Sequence, residues 1–129
     1  MKRLFTLFAL LVLLAGSALA RRWVPLGPDA REHAAEFRVL SSNSQRTVVE
    51  FDARGLYAED VRQDGRAFQK LDFGMNGGGV LNDIGSPQLP VAARFIAIPD
   101  DKAVKISVLE ADEAVLSGYR VYPAQAPLP

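Results

Sequence analysis

Between Phe37 and Tyr122 apolar and polar residues alternate in short runs. A period of two puts successive side chains on opposite faces of a strand, so these runs commit the chain to β-structure. The clearest is Val104-Lys105-Ile106-Ser107-Val108-Leu109, with Val104, Ile106 and Val108 predicted to face inward. Further strand candidates are 37–40, 47–53, 56–62, 67–73, 94–98 and 118–122. Gly, Pro, Asn and Asp cut the chain between them at roughly ten-residue spacing. Gln63-Asp64-Gly65-Arg66 is the strongest turn signal, because Gly accepts the positive φ of a tight hairpin. About seven short strands predict an all-β fold, a small antiparallel β-sandwich or partial barrel.

Two stretches stand outside this pattern. Met1-Lys2-Arg3 is a positive start, an uncharged apolar run follows from Leu4 to Leu14, and Ala18-Leu19-Ala20 is a small-x-small site. That order predicts a cleavable signal peptide over 1–20, a helix too short to span a bilayer, with Ala18 and Ala20 marking cleavage. The chain is therefore expected to be secreted, or periplasmic or held at the cell envelope, with no stable membrane span after processing. Residues 21–36 read as an irregular lead-in, 37–123 as the β-rich domain, and 124–129 as a proline-rich exit. Without the leader about 109 residues remain, enough for one core and too few for two.

The chemistry that this chain can carry is narrow. It has no cysteine, which excludes a disulfide framework, a thiolate nucleophile and thiolate-bound metal. Basic and acidic residues balance at 15 each, which gives no electrostatic case for nucleic acid. His33 is the single histidine and has no nucleophile motif beside it, so it reads as a surface residue. Gly77-Gly78-Gly79 lacks the following helix and lysine of a phosphate loop and reads as a surface loop. Asp72, Asn76, Asn82 and Asp83 offer oxygens but not the spacing of a calcium loop. Trp23, Tyr57, Phe68, Phe73, Tyr119 and Tyr122 fit a core better than a sugar-binding face. No catalytic residue, no cofactor and no metal site is expected.

Three elements in order carry a resemblance. They are Gly85-Ser86-Pro87-Gln88-Leu89-Pro90, then Phe95-Ile96-Ala97-Ile98-Pro99, then Val104-Lys105-Ile106-Ser107-Val108. Gly118-Tyr119-Arg120-Val121-Tyr122-Pro123-Ala124-Gln125 closes the set. Over roughly 47–127 this resembles the N-terminal propeptide of gingipain-type cysteine peptidases. On that resemblance Gly85, Pro87, Leu89, Pro90, Pro99, Val104, Ile106 and Val108 are structural motif residues. It implies a non-catalytic domain that assists folding and keeps the peptidase latent by steric cover, its partner being a cysteine peptidase catalytic domain in cis or in trans. The family's histidine–cysteine peptidase domain has no counterpart here, so the chain is expected to be a truncated precursor. The alternative reading is an exported β-sandwich interaction or adhesion module without a peptidase partner.

Overall fold

The computed structural model describes residues 21–127. The leader and its cleavage residues Ala18 and Ala20 lie outside them. Seven short strands form three antiparallel sheets, and there is no helix among the described residues. The all-β class is the one the alternation predicts.

The strands are β1 (Arg22–Pro25), β2 (Glu36–Ser42), β3 (Thr47–Asp52), β4 (Gly55–Gln63), β5 (Arg66–Asp72), β6 (Gly78–Val80) and β7 (Pro90–Ala92). The central sheet has the order β1-β4-β5. Its register sets Val24 opposite Leu56 and Ala58 opposite Leu71, so one face carries a continuous apolar row. These four residues are the buried core, closed by Phe73, Tyr119 and Val121. Each large side chain buried there contributes about 1.5–3 kcal/mol.

The β4–β5 hairpin turns where the sequence predicts. Asp64 and Gly65 take φ of 50° and 74°, the double left-handed geometry of a two-residue turn, and Gln63 pairs with Arg66. The β2–β3 hairpin uses different chemistry. Asn43 Oδ1 accepts from the amides of Gln45 and Arg46, both at 2.9 Å, which closes the loop through an asparagine side chain. A bulge between Val39 and Ser41 shifts its register. Phe51 links this hairpin to the rest, stacked edge-on to Phe73 at 5.2 Å between centroids.

Three expectations need correction. The lead-in is not wholly irregular, because β1 pairs along β4 from Arg22 to Pro25. Trp23 and Val24 are too few to show a period, and only the free edge of β4 reveals them as a strand. The candidates 94–98 and 104–109 form no ladder, and Val104, Ile106 and Val108 are exposed and not inward. Alternation makes a segment competent for a strand, but a neighbouring backbone must supply the hydrogen bonds. Finally, 118–122 makes a single isolated bridge, Val121 to Gln69, in place of a full strand.

Candidate functional site

The best-built junction outside the core lies where the chain returns to the free edge of β5. Gln69 anchors it with three bonds to the returning chain and a fourth to β4. Its amide donates to the Arg120 carbonyl at 2.8 Å, and its carbonyl accepts from the Tyr122 amide at 2.8 Å. Its Oε1 accepts from the Arg120 amide at 2.8 Å, while Nε2 donates to Asp60 Oδ1 at 3.1 Å. A glutamine can hold a strand edge in this way because it offers a donor and an acceptor beyond its own backbone.

The returning segment then meets the Gly-x-Pro-x-Leu-Pro element. The Gly85 amide donates to the Ala124 carbonyl, the Ala124 amide to the Ser86 carbonyl, and the Gln88 amide to the Tyr122 carbonyl, each at 2.9 Å. Pro87 bridges to Pro123, and Ala124 is buried at 2 % exposure. Gly85 stands at φ 82°, a conformation that costs little only in glycine. Leu89 extends the β6–β7 ladder through its carbonyl, which accepts from the Leu81 amide at 2.9 Å. Pro90 begins β7 opposite Val80.

Gly85 and Pro87 are therefore brought together with 122–124, although more than thirty residues separate them in sequence, while Leu89 and Pro90 pair with β6. The other motif residues are not part of this junction. Pro99 closes a turn by accepting from the Lys102 amide at 3.1 Å. Val104, Ile106 and Val108 lie exposed beyond it.

Cations and aromatics alternate over the same region. The Arg22 guanidinium lies 5.4 Å from the Tyr119 ring centre, Lys70 4.8 Å from Tyr122, and Arg120 5.9 Å from Phe68. Phe68 and Tyr122 meet edge-on at 5.9 Å. The hydrogen bond to the Tyr119 hydroxyl, aided by nearby Asp60, holds the Arg22 pKa above its ordinary value. A shallow pocket opens beside the β4–β5 turn, lined by Gln63, Asp64, Arg66, Phe68, Pro123 and Gln125. The aromatics stack on one another or under cations, so they do not form an open row for a flat ligand.

The remaining candidates resolve simply. His33 is exposed. The surface-loop expectation for 77–79 needs correction at Gly78 and Gly79, which sit in β6 opposite Ala92 and Val91. Asp72 is engaged by Arg21 and by the Gly74 amide, and Asn82 accepts from Gln88. Among the described residues no cluster of three His, Asp or Glu side chains is placed to hold a metal. No helix among them is long and apolar enough to cross a membrane.

Gln69 escapes sequence reasoning, and Ala124 enters it only as part of the closing Pro-Ala-Gln element. The one signal for Gln69 is the polar pair Gln69-Lys70, which breaks the alternation of β5.

What this arrangement offers is a surface pinned by backbone bonds at Gln69, Gly85 and Ala124. A protein-family model described as Propeptide_C25 matches residues 28–128. No curated protein and no solved structure matches the chain.

Proposed function

The chain belongs to the family of C25, or gingipain-type, peptidase propeptides, and from that membership we propose that it is a non-catalytic pro-region that assists folding of an exported cysteine peptidase and covers its cleft. The observation that carries this reading is the span of the family match. It takes in β2 to β7 and both halves of the junction between Gly85 and Ala124.

The physical means are those of a preformed surface. A segment held by prolines and backbone bonds loses little conformational entropy when a partner docks on it. Latency then comes from excluding substrate, without a chemical step in the pro-region. A chain with no cysteine cannot supply the thiolate such a peptidase needs, which agrees with a regulatory and not a catalytic part. Export rests on the leader pattern over 1–20, and processing after Ala20 would leave Arg21 as the first residue.

The test is direct. The purified chain is mixed with the catalytic domain of a C25-class peptidase, and complex formation and peptide hydrolysis are followed together. The expected result is an equimolar complex with suppressed hydrolysis, and a higher yield of active enzyme when the peptidase refolds beside it. A chain that neither binds the enzyme nor changes its activity or refolding overturns the reading.

A further inference from the structure

Residues 93–118 are all exposed, the longest such run among the described residues. Phe95 is fully exposed, and Ile106 and Val108 stand at 88 % and 81 %. From 103 to 117 no backbone–backbone hydrogen bond is made to any described residue. A β-branched, alternating segment with an unpaired, exposed backbone is a template for strand addition.

The sequence of this segment specifies what fits it. Written out, 102–110 is Lys-Ala-Val-Lys-Ile-Ser-Val-Leu-Glu. Antiparallel pairing with an identical segment, centred on Ile106, sets Val104 against Val108 and Lys102 against Glu110. Two-fold symmetry repeats each pair. Ile106 then meets its own copy, and Lys105 faces Ser107. The apolar centre is flanked at both ends by opposite charges, all on one face. Neighbouring registers lose this match. A centre at Lys105 opposes two lysines and puts Lys102 against Val108. A centre at Ser107 puts Val104 against Glu110.

We propose that residues 102–110 form a self-association strand, by which two copies of this chain pair antiparallel about Ile106. This goes beyond the pro-region reading and uses a different surface from the junction at Gly85. The occupant is a second copy because the charge pattern complements itself in a single register.

Sedimentation of the purified chain over a wide concentration range tests the proposal. The wild type is expected to show a reversible monomer–dimer equilibrium. Lys102→Glu and Glu110→Lys, each alone, should weaken the dimer about tenfold, since each places two like-charged cross-strand contacts in it. The double variant carrying both reversals should recover wild-type dimerisation. Ile106→Lys should give a monomer with an unchanged far-ultraviolet dichroism spectrum, because the side chain touches no core residue. A wild type that stays monomeric overturns the proposal. So does association that grows without limit, ignores the single reversals, or is not restored by the double variant. Loss of binding to a C25-class peptidase domain on Ile106→Lys, with a monomeric wild type, would assign the strand to the enzyme and reject the second copy. Failure of the peptidase test alone leaves the dimer result standing, so the two readings are judged separately.

Discussion

The Gly85 amide donates to the Ala124 carbonyl, and the Ala124 amide answers to the neighbouring Ser86 carbonyl, both at 2.9 Å. This reciprocal pair closes the junction between the proline element and the returning chain. Gly85 holds it at φ 82°, and an added Cβ would meet nothing within 4 Å. Gly85→Ala therefore tests backbone strain without a clash. The expected loss is about 1–2 kcal/mol, read as a lower urea midpoint at unchanged slope. Limited proteolysis should cut faster near Pro123, since the same bond restrains that segment.

Gly55 faces the opposite problem. A Cβ there would lie 2.3 Å from Trp23 Cζ2 and 2.6 Å from the Val24 carbonyl oxygen. Gly55→Ala must displace the indole or the β1 backbone, and overpacking of this kind costs about 1–3 kcal/mol. Trp23 is the single tryptophan, so its fluorescence reports the displacement directly. A red-shifted emission with loss of stability is the expected outcome. An unchanged spectrum would show that β1 does not pack over Gly55.

Much of this fold was legible in the sequence because hairpins are local. Asp64-Gly65 states its turn outright, and the four strands β2 to β5 follow their alternation. What was not legible depends on partners far along the chain. β1 shows no period of its own and exists because β4 has a free edge. The strongest alternation, at Val104, Ile106 and Val108, yields no strand because no edge receives it. The motif residues divide on the same line. Gly85 to Gln88 find Tyr122, Pro123 and Ala124, whereas Val104, Ile106 and Val108 stay exposed. Gln69 was invisible because its role is fixed by Arg120 and Tyr122, not by its neighbours in sequence.

Arg38 joins three carboxylates across the β2–β3 hairpin, Glu36 at 3.4 Å, Glu50 at 2.9 Å and Asp52 at 2.6 Å. Arg38→Met keeps the aliphatic stem and leaves the acids facing one another. Arg38 is about half exposed, with side-chain exposure of 46 %, so solvent screens the network. The expected loss is about 0.5–1 kcal/mol at low salt. It should shrink as salt is added, because the Debye length falls to about 3 Å at molar ionic strength. A loss that is independent of salt would assign Arg38 a packing role in place of a charge role.

Tyr57 lies across from Trp23, with ring centres 5.2 Å apart, and under the Arg21 guanidinium at 3.9 Å. Desolvation first, and then hydrogen bonding with Glu32, raise its pKa above the ordinary value, while Arg21 acts against them. The folded protein thus holds this proton more tightly than the unfolded chain, whose tyrosines titrate near pH 10. The stability that this group contributes is full below that value. It is lost as pH rises through the higher folded value. Alkaline titration of phenolate absorbance in the folded protein should therefore show a component later than the unfolded chain's. Tyr57→Phe should remove that component and flatten the alkaline fall in stability. Glu32→Gln should move it towards the ordinary value without removing it, because desolvation remains. Should Tyr57→Phe leave the late part of the folded titration unchanged, the environment assigned to Tyr57 is wrong.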